Sequence, residues 1–107
     1  MKVIYVAGKY HADTEWGIWN NIEHASRAAR KLWFEGWAVI CPHKNTAFFG
    51  GKGGSHRNLW LVGDLEILKR CDAIFMLEGW KDSEGARAEL QLAVDLGLEI
   101  QYEPAGD

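Results

Sequence analysis

The hydrophobic positions of this chain alternate between two patterns. Short apolar runs rich in β-branched residues are followed by longer stretches in which apolar residues recur every three or four positions. Val3-Ile4-Tyr5-Val6-Ala7, closed by Gly8, has the unbroken apolar character of a strand buried on both faces. Asp13 or Thr14 is placed to cap a helix running to about Phe34. Ile18, Ile22, Ala25, Ala29 and Leu32 form its apolar stripe, and Gly36 ends it. Residues 37–41 predict a second strand stopped by Pro42, followed by a loop over 43–54. Ser55 is placed to cap a second helix to about Arg70. Residues 72–77 predict a third strand, 78–82 a loop and 83–96 a third helix with Gly97 at its end. Residues 99–102 predict a last strand, and the tail after Tyr102 is expected to be loose.

Strands that alternate with helices imply a parallel sheet covered on both faces. The expected fold class is α/β: a small Rossmann-like or flavodoxin-like three-layer fold. Its sheet has four parallel strands in the order 2-1-3-4. In such folds ligands sit at the carboxyl ends of the strands, near the point where strand order reverses. That edge is formed by the loops at 8–13, 43–54 and 78–83. With 107 residues, the chain has the length of one domain with one core, spanning 1–107.

Composition narrows the partners. The net charge is -3 and no basic block occurs, which disfavours a nucleic-acid backbone as partner. No apolar run approaches the ~20 residues of a membrane span, and the chain opens directly into a strand-like segment. A cytoplasmic protein with no membrane partner is the expectation. Cys41 and Cys71 lie 30 apart without metal or redox spacing, so they read as reduced, buried thiols. The histidine and cysteine pattern gives no metal site, and no cofactor is expected.

Two carboxylates fall on the wrong faces of their helices. On a wheel of about 100° per residue, Ala86, Leu90, Leu92, Ala93, Val94 and Leu96 form the apolar arc of the third helix. Glu89 lies inside that arc, about 40° from Ala93. In the second helix, Asp64 lies amid Trp60, Leu61, Leu65, Ile67, Leu68 and Cys71, whereas Glu66, Lys69 and Arg70 face outward. A buried ionised carboxylate is costly unless it is paired or hydrogen-bonded. Two of them, each early in a helix whose start points at the ligand edge, mark a candidate active site. The helix dipole would favour ionised Glu89, and Ser83 with Gly85 would leave N–H groups free for an anion. Two carboxylates in one pocket suit glycosidic bond cleavage: one attacks or stabilises the sugar carbon, and the other handles the leaving group's proton.

These residues carry a resemblance. Tyr5-Val6-Ala7-Gly8, "GDLEILKRCDAIFML" from Gly63 to Leu77, and "SEGARAEL" from Ser83 to Leu90 resemble the nucleoside 2-deoxyribosyltransferase superfamily. That superfamily includes the 2'-deoxynucleoside 5'-phosphate N-hydrolases. The chain also resembles a set of short bacterial and phage relatives, and the likeness covers nearly its whole length. The resemblance implies that Glu89 is the nucleophile forming a glycosyl-enzyme intermediate. It implies that Asp64 binds the sugar and assists proton transfer, and that Tyr5 hydrogen-bonds the nucleophile. Ser83 and Gly85 match residues that hold the 5'-phosphate. The chain departs from the pattern in two places: Lys9 replaces a usual proline, and Ser83 stands where the transferases carry an aspartate, which favours monophosphates over free nucleosides. A C-terminal segment with which the transferases complete a neighbour's pocket is largely missing.

Other features enter with their plainer readings beside them. Gly8 ends the first strand at the ligand edge. His43 and Asn45 follow the second strand and are candidates to touch a base, although a loop histidine bonded to backbone is the ordinary case. Tyr10 is a candidate for sugar or base contact, or for simple packing. Residues 50–55, "GGKGGS", are not a Walker A loop and read as a lid or as an inert loop. Arg57 and Lys81 are phosphate partners by position alone. Trp16, Trp19, Trp60 and Trp80 suit packing or a subunit interface better than base stacking. The expected partner is a small nucleoside or nucleotide, and the expected assembly a homodimer or larger homo-oligomer. Two rivals stand beside the enzyme: a nucleotide-sensing module that keeps the pocket without turnover, and a structural dimer whose carboxylates are interface groups.

Overall fold

The structure is a computed structural model that describes residues 1–49 and 57–106. Its sheet is built around β1 (Val3–Ala7), which pairs in parallel with two neighbours. On one side Val3 aligns with Ala38 and Tyr5 with Ile40 of β2 (Ala38–Ile40). On the other, Ile4 aligns with Ala73 and Ala7 with Met76 of β3 (Ala73–Met76). β4 (Glu99–Tyr102) adds in parallel to β3. The order is β2-β1-β3-β4, the four-stranded parallel α/β sheet that the alternating pattern predicts.

Successive strand residues point to opposite faces. Ile4 and Val6 join Ala73 and Leu77 against Ala25, Ala28, Ala29 and Leu32 of α1 (Glu15–Phe34). Tyr5 and Ala7 join Ile74 and Met76 on the other face, against Leu68 of α3 (Arg57–Leu68) and Ala86 and Ala93 of α4 (Glu84–Leu96). The chain thus changes face between β2 and β3. The strand-order reversal falls between β1 and β3, and their carboxyl ends open beside the start of α4.

Local chemistry sets the helix ends. Thr14 Oγ1 accepts the Gly17 N–H at 3.0 Å at the head of α1, and Ser83 Oγ accepts the Ala86 N–H at 3.1 Å at the head of α4. Gly97 closes α4 in the left-handed region, at φ 71°, where a side chain would be strained. Both cysteines are free, and burial pushes both thiols above their ordinary pKa.

Three expectations are corrected. Residues 42–45 are not loop: Pro42 opens a single helical turn, α2 (Pro42–Asn45), at the position where proline's missing N–H costs nothing. The apolar arc drawn for α4 is too wide, since Val94 and Leu96 are exposed and only Ala86, Glu89 and Ala93 are buried. The tail is tied down rather than loose. The Glu103 N–H donates to Met76 O at 2.8 Å, its carboxylate accepts from the Glu78 N–H and from His24 Nε2, and the Gly106 N–H reaches Glu78. These polar returns leave no trace in hydrophobic periodicity. The Ser55 cap and the glycine-rich loop lie outside the described residues. Among the described residues, no helix is long and apolar enough to cross a membrane.

Candidate active site

Tyr5 stands on the α3/α4 face of β1, wholly buried, and its hydroxyl donates to the Glu89 carboxylate across 84 residues of sequence. Glu89 sits one and a half turns into α4 on the face that meets the sheet, and is 7% exposed. Asp64, on α3, lines the same cavity of about 280 Å³. The two helices that cover this face of the sheet therefore each turn one acid toward a shared space.

The electrostatics follow from burial. Loss of water pushes Glu89 from its ordinary 4.5 up to about 8; the Tyr5 hydrogen bond opposes the rise and the Asp64 charge adds to it. Burial raises Asp64 to about 6. Tyr5 is pushed far above its usual value by burial and by the Glu89 and Asp64 charges. Desolvation raises Glu89 at a position where the helix dipole is expected to favour its ionised form. Interacting acids titrate as a pair. Between about 6 and about 8 this pair holds one proton, which gives one acid and one base in the same cavity.

The ends of the strands shape the rest. Gly8 follows β1 where the chain passes Leu77. A Cβ there would lie 2.6 Å from Leu77 Cδ1 and 2.8 Å from Leu77 Cβ, so only glycine permits the approach. Tyr10 lines the cavity, and its hydroxyl accepts the Phe48 N–H at 3.0 Å. His43 lines it too, 5% exposed, with Nε2 3.0 Å from Lys9 O. Ser83 and Gly85 line it at the start of α4. Ser83 is not wholly free for an anion: its N–H donates to Trp80 O and its oxygen caps Ala86, which leaves its hydroxyl proton to donate. Asn45 is corrected. It is exposed and is absent from the lining, because two residues along α2 turn it about 200° away from His43. Lys81 is exposed and stands over the Trp80 ring rather than at the cavity.

A family described as a domain of unknown function, DUF4406, matches residues 2–102. This chain belongs to the DUF4406 family. No curated protein is significantly similar to it in sequence. A solved structure of 2-deoxyribosyltransferase from the psychrotolerant bacterium Bacillus psychrosaccharolyticus has a similar fold. The TM-score is 0.71 at 25% identity, over 98% of this chain and 74% of that one. The likeness places this DUF4406 chain in the nucleoside 2-deoxyribosyltransferase-like superfamily.

Several lining residues of the DUF4406 chain escape sequence reasoning. His11 lines both this cavity and a neighbouring one of about 310 Å³, where Lys9, Asp82 and Arg87 also lie. Pro42, Thr46, Trp60, Leu61, Glu84 and Ala86 also line the main cavity. Asn21 of α1 holds the loop after β1 by donating to the Tyr10 and His11 carbonyls at 3.0 and 3.4 Å. A polar residue on the inner half of a helix was the available signal for Asn21. His11 and Thr46 carried none. Among the described residues, no group of three or more His, Cys, Asp or Glu side chains is placed to hold a metal ion.

Proposed function

We propose that this chain cleaves the N-glycosidic bond of a 2'-deoxynucleoside or its 5'-monophosphate, with Glu89 as nucleophile. The observation that carries the reading is the buried Tyr5–Glu89 hydrogen bond with Asp64 in the same cavity. Burial leaves the single proton of the pair mainly on Glu89, and the reactive form is the one in which that proton has moved to Asp64, so that the Glu89 carboxylate attacks C1' of the sugar. The bond from C1' to the base nitrogen breaks, its electron pair passes to the base, and Asp64 supplies the proton the base needs to leave. Tyr5 keeps Glu89 in line and stabilises its carboxylate. The Ser83 hydroxyl and the N-terminal turn at Gly85 take a 5'-phosphate. Water then resolves the sugar–enzyme ester to give hydrolysis, or a second base resolves it to give exchange.

The likeness to a 2-deoxyribosyltransferase supports the substrate class. A homo-oligomer belongs to the same reading, since stacked Trp16 and Trp19, and Leu59 and Val62 of α3, stand exposed. The test is chromatography of the protein with deoxynucleosides and their 5'-monophosphates, with and without a second free base, beside Glu89→Ala. Base release abolished in the variant supports hydrolysis, and exchange without net release supports transfer. Nucleotide binding with no turnover of any substrate would overturn the enzymatic reading in favour of a sensing module.

A further inference from the structure

In the reading above, on which this inference rests, Glu89, Asp64 and the start of α4 take up the sugar and its phosphate. Tyr10, Pro42, His43, Thr46, Trp60 and Leu61 supply another stretch of the wall. Rings and apolar carbons with few polar atoms suit a flat heterocycle. His43 is the buried polar ring of that stretch.

The tautomer of His43 is fixed by its partner. Nε2 lies 3.0 Å from the Lys9 carbonyl oxygen, an atom that only accepts, so Nε2 carries the proton and donates it. Burial lowers the pKa of the ring and keeps it neutral at neutral pH. A neutral imidazole with a proton on Nε2 presents a bare lone pair at Nδ1. Among the described residues no fully buried side-chain nitrogen or oxygen lacks a partner and Nδ1 makes no hydrogen bond, so Nδ1 keeps some exposure on a ring that lines the cavity. The Tyr10 ring, tilted at 54° with its centre 5.8 Å away, packs against the imidazole.

We infer that His43 Nδ1 reads the base, accepting a hydrogen bond from an exocyclic amino group and so selecting amino-bearing bases over their oxo counterparts. An exocyclic amino group projects beyond the ring and presents a donor to an acceptor on the wall. In the oxo counterpart a carbonyl takes that place, and its lone pairs face those of Nδ1. The ring N–H of an oxo base is flanked by carbonyl oxygen, so it does not meet Nδ1 without the same opposition.

The test compares matched pairs, dCMP with dUMP and dAMP with dIMP, by calorimetric binding and by kcat/KM where turnover occurs. The wild type is expected to favour the amino member of at least one pair by roughly 10- to 100-fold, as for a site left with an unpaired polar group. His43→Gln keeps a donor for Lys9 O but moves its acceptor oxygen off the Nδ1 position, and its ratio is expected to fall toward one. His43→Asn loses the Lys9 bond but places a carbonyl oxygen near the Nδ1 position, and it is expected to keep most of the preference. No preference, a preference for the oxo members, or a ratio unchanged in His43→Gln would overturn the inference. Binding that keeps the amino preference without turnover would remove the catalytic reading and leave this one standing. Binding of none of the four would remove both.

Discussion

On one face of β1, Ile4 and Val6 pack among three alanines and Leu32 of α1. On the other, Tyr5 and Ala7 face α3 and α4, and Tyr5 gives its hydroxyl proton to a buried glutamate. The two faces share one strand and one hydrogen-bonded ladder, so backbone structure does not distinguish them. Side-chain chemistry does. The buried cluster between the sheet and α1 is apolar. The α3/α4 face admits two acids whose burial disfavours their charged forms. A fold selected only for stability would have an apolar residue at position 89. The glutamate is better explained by chemistry done in the cavity than by packing.

Substitutions on the two faces should therefore separate activity from stability. The largest effect is expected from Glu89→Ala, which removes the proposed attacking group: turnover should drop by ~10⁴-fold or more while the chain stays folded by circular dichroism. Asp64→Asn comes next, with a loss of roughly 10²- to 10⁴-fold in kcat. Its pH profile carries a sharper signature. The wild type is expected to give a bell in kcat/KM with limbs near the two values of the pair, about 6 and about 8. The variant should rise in a single step as Glu89 ionises, at lower pH than in the wild type because the Asp64 charge no longer holds it up. A falling limb unchanged in Asp64→Asn would show that the pair does not set the profile.

Ile4→Ala tests the quiet face. Ile4 is fully buried, and its truncation should cost about 2–5 kcal/mol in denaturant unfolding. The pH limbs of the surviving activity should not move. A shifted profile would mean that the faces are coupled.

Glu89→Gln sharpens the comparison through stability. Because the folded pKa of Glu89 is raised, its protonated form favours folding below its ordinary 4.5, and that contribution is lost as pH climbs through about 8. The glutamine stays neutral throughout. The variant should match the wild type near pH 4 and exceed it by on the order of 2–4 kcal/mol at pH 9, read from unfolding midpoints. A gap that does not widen with pH would place Glu89 in a different environment.

Much of this was legible in the sequence because it is periodic. The individual strands and helices, the cap offered by Asp13 or Thr14 and the Gly97 terminator follow from local patterns, and the strand order from their alternation. Glu89 and Asp64 stood out because each breaks a helical stripe. What the sequence hid depends on the chain's return through space. Nothing near Glu103 announces that its carboxylate meets Glu78 and His24, and the inward polar position of Asn21 does not say that it holds the loop after β1. His43 and Asn45 look alike as polar residues after a strand. One turn of helix begun by Pro42 buries the first and exposes the second. Val94 and Leu96 are apolar residues of α4, yet both stand exposed beside buried Ala93.

The role of Glu89 as the attacking atom is tested most directly by peptide mass spectrometry. The protein would be acid-quenched during turnover of deoxynucleoside 5'-monophosphates, beside Glu89→Ala treated in the same way. A sugar-phosphate mass on the peptide containing Glu89, lost in the variant together with base release, is the expected result. A sugar adduct on another residue, or base release that persists at the wild-type rate in Glu89→Ala, would contradict it.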